Sequence, residues 1–247
     1  MPDSTLAPPP GYTTIAPLDK QKHAGLGLKP GIGYAWAAQL NAVFIGAAEM
    51  PRAALDFPIA FVRDQATGEF VPVSVLGLKQ NQNLFVDAGG RWREHHYVPA
   101  YLRRYPFCLA DIPSPGGQEA RHLICVDESQ LVAGAPPLFD AAGQPTAAWE
   151  PMRQLIEALE TARQQTRALC KRLEALQLLV PFDAVAVPRA GERMRLAGMF
   201  RIDEEKLALI PLRDLRMMLK RAEMRAVYAH LLSLENFAKL MDLAVAR

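Results

Sequence analysis

One segment limits the architecture more than any other. Between about Thr146 and Gln177, the residues Ala148, Met152, Leu155, Leu159, Ala162, Thr166, Leu169, Leu173 and Leu176 recur at steps of four and three. That is one stripe on a 3.5–3.6-residue period, the signature of an amphipathic helix. Thr146 stands where an N-cap is expected, and Pro151 falls in an early turn, where its missing N–H costs nothing. At 1.5 Å per residue the rod would exceed roughly 40 Å, so it must cross the whole fold and needs a long apolar surface to lie on. Core packing is the preferred reading. The alternative is a homodimer seam formed with a second copy of the helix. The stripe contains Ala and Thr and ends within about four heptads, which favours the core.

The surface it lies on is predicted to be a sheet. From His23 to about Val126 the chain has hairpin texture. "FPIAFVRDQATGEFVPVSVLGL" places apolar runs at Ile59–Val62 and Phe70–Leu78 around a polar, glycine-containing loop. "NLFVDAGGRW" repeats the arrangement, with Asp87-Ala88-Gly89-Gly90 as the turn, and a third pair runs from Phe107–Ala110 to His122–Val126. "FDAVAVPRAGERMRLAGMFRI" reads as a late hairpin, Phe182–Val187 and Met194–Ile202. Asp203 then caps a short helix, Pro211 opens another over Leu212–Lys220, and a last, widely apolar helix follows from Met224 onward. Hairpins first and helices later give the α+β class. The expected fold is an antiparallel, twisted or barrel-like sheet from residues 23–126 and 182–202, packed by one long helix and a C-terminal helical cluster. The late hairpin must reach the early sheet to cover its edges. Residues 1–22, rich in Pro, Ser and Thr, are expected to form a flexible N-terminal tail, with 23–247 as a single domain.

Composition narrows function mostly by exclusion. Half of the 247 residues are hydrophobic and the formal net charge is only +2. That is globular composition, with no global electrostatic case for nucleic acid or for an anionic membrane. Cys108, Cys125 and Cys170 form no C-x-x-C pair, and free thiols are the simplest reading. The N-terminal residues lack a basic region followed by an apolar one, so the expected location is cytoplasmic, with surface association by a non-classical export route left open. "GIGYAWAAQLNAVFIGAA", Gly31 to Ala48, is uncharged and nearly of spanning length. Gln39 and Asn41 at its middle, and glycines at one end, instead predict a buried pair of short strands and no membrane span.

The densest chemistry lies in "YVPAYLRRYPFCLAD", Tyr97 to Asp111. With Pro99 opening and Pro106 closing a two-turn helix, Tyr97, Tyr101 and Tyr105 at spacing four would stack along one face. Arg103 and Arg104 would diverge by about 100°. Packing is the preferred reading, with an arginine paired to Asp87, Asp111 or Asp127. The alternative is a ligand or partner site made of Tyr97, Tyr101, Arg103, Arg104, Tyr105 and Asp87. Adjacent His95 and His96 lack metal-ligand spacing, so neither a metal nor a cofactor is expected. "GLGLKPGIG" lacks the context of a phosphate loop, and no nucleophile elbow occurs. Arg163, Arg167 and Lys171 form a basic strip at helical spacing. Arg213, Arg216, Lys220, Arg221 and Arg225 enrich the C-terminal helices. Both read as solvated faces, with an acidic partner as the alternative and no interleaved aromatics to support nucleic-acid binding.

Longer stretches carry a resemblance. "LKPGIGYAWAAQLNAVFIGAAEMPRAALDFPIAF", "VLGLKQNQNLFVDAGGRWREHHYVPAYLRRYPFCLAD", "CVDES", "LFDAAGQPT" and the C-terminal "LAGMFRIDEEKLALIP" and "VYAHLLSLENFAKL" resemble the SapC family of bacterial proteins, in that family's order. The run from Trp92 through Tyr97-Val98-Pro99-Ala100 to Arg103-Arg104-Tyr105-Pro106-Phe107 is its most specific part. His95-His96 departs from the acidic or small residues expected there. The resemblance implies an accessory role in surface-protein assembly or in peptide and nutrient handling, without an assigned catalytic motif. The leading expectation is therefore a non-enzymatic accessory or binding protein that engages another protein or peptide. The rival is an enzyme, or an enzyme's partner subunit, acting on a small or peptide substrate in a Tyr/Arg-lined pocket.

Overall fold

The computed structural model describes residues 8–112, 121–186 and 194–245. It is α+β, with antiparallel strands, one long helix and a helical cluster that follows Ile202. The strands divide into three sheets rather than one. The largest contains β3 (Ala42–Phe44), β4 (Ile59–Arg63), β5 (Phe70–Val75), β9 (Leu179–Ala186) and β10 (Met194–Ile202), in the order β3-β5-β4-β10-β9. A three-stranded sheet is ordered β1 (Ile15–Pro17), β7 (Arg121–Asp127), β6 (Phe107–Ile112), and β2 (Leu26–Leu28) pairs with β8 (Leu131–Ala133). The late hairpin does reach the early sheet, through β10 beside β4.

Local chemistry explains the hairpins. At the β4–β5 turn, Asp64 Oδ1 accepts hydrogen bonds from the N–H groups of Ala66 and Thr67 and from the Thr67 hydroxyl. Gly68 then supplies the positive φ of +70° that brings the chain back. In the β9–β10 pair the register shifts between Leu196 and Met199, where Gly198 at φ +78° forms a bulge.

Two sequence expectations need correction here. The predicted strand pair over 31–48 is a 3-10 turn, Ala35–Ala37, followed by the single strand β3. The tail expected to run to residue 22 is docked well before that point. Ile15 pairs with Asp127 and Pro17 with Cys125, Leu18 donates to the Ile124 carbonyl, and Tyr12 is buried. The exposed edge of β7 supplies unpaired backbone groups, and these capture the arm although its sequence has no apolar period.

The long helix, α3 (Glu150–Ala175), spans about 39 Å over its 26 residues. Its N-cap is Trp149, without a side-chain cap bond, rather than Thr146, whose hydroxyl accepts from Ala148 N–H in the turn before the helix; Pro151 sits in the first turn. Its two halves serve different cores. Ile156 and Met152 pack with Phe107, Leu138, Phe139 and Trp149, whereas Leu169, Cys170 and Leu173 pack on the five-stranded sheet. Its stripe therefore faces this chain's own interior. Around the sheet lie α1 (Met50–Ala53), α2 (Ala100–Arg103), α4 (Glu204–Ala208), α5 (Leu212–Lys220), α6 (Glu223–Ser233) and α7 (Asn236–Val245). Among the described residues no helix is long and apolar enough to cross a membrane.

Candidate functional site

The segment holding most of the sequence candidates forms a corner ordered by two carboxylates on the α1 segment. Glu49 immediately precedes α1, and its Oε1 accepts from the Tyr97 hydroxyl at 2.6 Å and from Ala100 N–H at 2.8 Å. Asp56 Oδ2 accepts from Tyr97 N–H at 2.7 Å. Glu49 thus satisfies a first-turn donor of α2 from outside, since Pro99 offers no side-chain cap. Arg103 closes the arrangement. Its Nε donates to the Val98 carbonyl at 3.1 Å and its Nη2 to the Tyr97 hydroxyl at 3.3 Å, with Nη2 3.8 Å from Glu49 Oε1. Burial, followed by the hydrogen bond and charge of Glu49, pushes the Tyr97 phenol up to about 12.

The tyrosines do not share a face as spacing alone predicted. α2 is a single turn, so Tyr97 precedes it and Tyr105 follows it. The Tyr101 ring lies under the Arg104 guanidinium, 4.2 Å from centroid to Cζ. Tyr105 stacks on Trp36 with centroids 4.2 Å apart and planes at 14°, in a cluster shared with Tyr12. Its hydroxyl lies 3.4 Å from Asp127 Oδ2, and its pKa rises to about 12, chiefly through burial and then through the charge of Asp127. Tyr12 donates to the Phe107 carbonyl at 2.7 Å, and burial raises its pKa against the opposing charge of Arg104. Arg104 Nε is buried without a hydrogen-bond partner among the described residues.

The arginine partners differ from those predicted. Arg103 turns to Glu49, and Asp87 is not brought to either arginine. Asp87 Oδ1 accepts from the N–H groups of Gly89 and Arg91 at 2.9 Å each, and Oδ2 lies 2.9 Å from Arg91 Nη2. These bonds, the Arg91 N–H first, hold its carboxyl below the ordinary range. Asp127 accepts from Thr13 N–H at 2.9 Å and from the Ser129 hydroxyl at 2.6 Å. The Asp111 side chain lies outside the described residues.

His95 is exposed at φ +63°, and His96 Nδ1 lies 2.8 Å from the Glu94 carbonyl oxygen. Among the described residues no three His, Cys, Asp or Glu side chains come together as a metal site would require. The basic strip on α3 is paired within the chain, two of its cations sharing one carboxylate. Arg167 lies 2.6 Å and Lys171 3.2 Å from Glu69 oxygens, and Arg163 pairs with Glu160 at 2.9 Å.

One cleft was not anticipated from the sequence. It has a volume of about 510 Å³ and opens between residues 47–51, α3 and the start of α6. Ala47, Pro51, Ala168 and Ala226 give it small apolar walls, and Arg221 and Arg225 add two exposed guanidinium groups. Neither arginine has an ion pair among the described residues, whereas Glu223 on the same rim is held by Arg172 at 3.0 Å. Ala222 takes the left-handed conformation, φ +57°, at the entry to α6. The legible part of this signal was the surplus of arginines in 213–225. Its other wall, from residues 47–51, was not.

A protein-family model described as SapC matches residues 18–240, which include both the corner and the cleft. The chain belongs to the SapC family. No curated protein and no solved structure matches it. In this SapC protein the family match therefore begins inside the docked N-terminal arm, at the residue whose N–H bonds to the edge of β7.

Proposed function

We propose that this SapC-family protein is a non-enzymatic binding component that engages another protein or a peptide, with the cleft between α1, α3 and α6 as the seat. The observation that carries this reading is the pairing of small apolar walls with two guanidinium groups that have no ion-pair partner among the described residues. Such a surface suits a segment with an acidic side chain beside small apolar ones, because arginine forks recognise carboxylates and alanine walls admit close backbone approach. In this reading Tyr97, Tyr101, Arg103, Arg104 and Tyr105 hold the wall rather than the ligand. Glu49, which orders their corner, is bonded through Oε2 to Gly46 N–H at 3.4 Å, next to the cleft residue Ala47. Asp87 stays within its own turn. The family resemblance directs the search for the partner to surface-protein assembly and peptide handling.

A photoreactive residue placed at position 168 in the native cell tests the proposal. The expected result is one predominant crosslinked partner, lost when Arg221→Glu and Arg225→Glu are combined. Crosslinks indifferent to that charge reversal, or turnover of a peptide substrate by the purified protein, would remove the reading.

A further inference from the structure

A second surface, on α5, is independent of the cleft. Leu209, just before the helix, is 83% exposed, Leu212 is 82% exposed and Leu219 is 59% exposed. With 100° between successive residues, Leu212, Leu215 and Leu219 share one face of α5, bordered by Met218. The core takes only one side of that face: Met218 is fully buried and Leu215 packs on the main core, while Leu212 and Leu219 turn outward. The apolar face is wider than the protein covers.

On the open side of these leucines, the same spacing places Arg216, Lys220 and Arg213 in succession, and it carries Asp214 to the far side. All three basic residues are exposed and lack an ion pair among the described residues. The net charge of +2 conceals this local arrangement, in which α5 holds Arg213, Arg216 and Lys220 against the single acid Asp214.

We propose that this face docks the protein on an anionic membrane surface. Leu209, Leu212 and Leu219 enter the boundary between headgroups and acyl chains, and Arg213, Arg216 and Lys220 meet lipid phosphates. A helix with leucines on one face and cations on the next lies in the interfacial plane and binds by both terms together. A lipid surface fits better than a folded partner because the leucines protrude. Leu209 and Leu212 stand outside the lining of the cleft and keep more than four-fifths of their surface in solvent. A fluid interface accepts such isolated tips without a matching pocket. No spanning helix is involved.

Flotation of the full-length protein with vesicles tests this. Vesicles of phosphatidylcholine alone should leave it in solution, and vesicles containing phosphatidylglycerol should carry it, less so at high salt. Leu209→Gln with Leu212→Gln should abolish flotation. Each of Arg213→Gln, Arg216→Gln and Lys220→Gln should weaken it about fivefold, as expected for one cation near an anionic surface. All these positions are exposed, and unchanged circular dichroism would confirm that the variants fold. Equal behaviour with neutral and anionic vesicles, or flotation that survives the leucine substitutions, would overturn the proposal. So would leucine-dependent self-association, or capture of a protein partner by this face, without vesicle binding. The cleft arginines stay intact throughout, so failure here leaves the proposed binding function standing.

Discussion

His230 sits on α6 with no solvent exposure and joins two strands that barely pair with each other. Between β4 and β10 the described register contains only Phe200 opposite Phe61. His230 Nε2 accepts from Ile202 N–H at 3.0 Å, so the proton resides on Nδ1, which donates to the Ile59 carbonyl at 2.9 Å. The imidazole thereby replaces a missing rung of the ladder. Ser233, one turn on, accepts from Ile59 N–H at 3.0 Å. A second proton would have to go on Nε2, which faces the Ile202 N–H in a fully buried site. Burial accordingly pushes the imidazole down from 6.5 to about 4. The folded protein keeps this group neutral, and the unfolded chain takes up a proton below 6.5. Stability is therefore whole above that pH and declines as pH falls toward 4. Over that interval the loss amounts to roughly 3 kcal/mol, of which about 2 kcal/mol is gone by pH 5. For a chain of this size that corresponds to a fall of roughly 5 °C in Tm between neutrality and pH 5. Urea unfolding at a series of pH values measures the slope, and the Cε1 proton resonance of His230 reports the titration directly. His230→Gln, which keeps a donor and an acceptor but cannot titrate, should flatten the slope between pH 6.5 and 4.5. An imidazole titrating near 6.5 in the folded protein, or identical slopes in the two proteins, would refute the reasoning.

Glu49→Ala strips the acceptor from the Tyr97 hydroxyl and Ala100 N–H and should cost about 2–3 kcal/mol in urea unfolding. Glu49→Gln should lower the Tyr97 phenol only part of the way from about 12, because burial is the larger cause, as followed by carbon NMR of the ring. Cys108, Cys125 and Cys170 are all buried, and burial raises the Cys170 thiol to about 12. A disulfide reagent should therefore label none of them at pH 8 until denaturant is added, and prompt labelling of the native protein would contradict the packing. Glu69→Gln removes the partner of Arg167 and Lys171, both more than half exposed. It should change stability by less than about 1 kcal/mol, with the difference vanishing in high salt.

The parts of the fold that could be read from the sequence are those in which neighbours in the chain decide the outcome. The α3 stripe repeats within one element, and the β4–β5 turn carries Asp64, Thr67 and Gly68 in a six-residue loop. The parts that could not be read depend on distant partners. Nothing near Ile15 announces that the open edge of β7 will capture it. Tyrosines spaced by four look like one helical face, yet α2 stops at Arg103, and the spacing has no geometric meaning beyond it. Glu49 was the first charge after an uncharged stretch of eighteen residues, Gly31 to Ala48. A lone acid in that position needs partners, and that was the available signal for the corner. His230 offered a similar signal, an imidazole inside the apolar "VYAHLLSL".

These long-range bonds also decide how the cleft can work. One wall is fixed from behind: Ala47 N–H donates to Thr166 Oγ1 on α3 at 2.8 Å, and Thr166 donates in turn to the Ala162 carbonyl at 2.6 Å. Glu49 continues the chain of bonds from that wall to α2. The opposite wall, at the start of α6, is tied to α3 by the part-buried Arg172–Glu223 pair and to the sheet by His230 and Ser233. None of Thr166, Glu49, Arg172 and His230 lines the cleft. The spacing between its walls is therefore set by buried groups, whereas Arg221 and Arg225 extend into solvent from a backbone already immobilised. In the proposed reading, a partner docking there orders two arginine side chains of this protein, on top of the translational and rotational cost of any association, and does not have to reshape the apolar walls. On the proposed binding function, substituting a wall-fixing residue such as Thr166 should weaken partner crosslinking at position 168 by widening the cleft, and substituting Arg221 or Arg225 should weaken it without altering the fold.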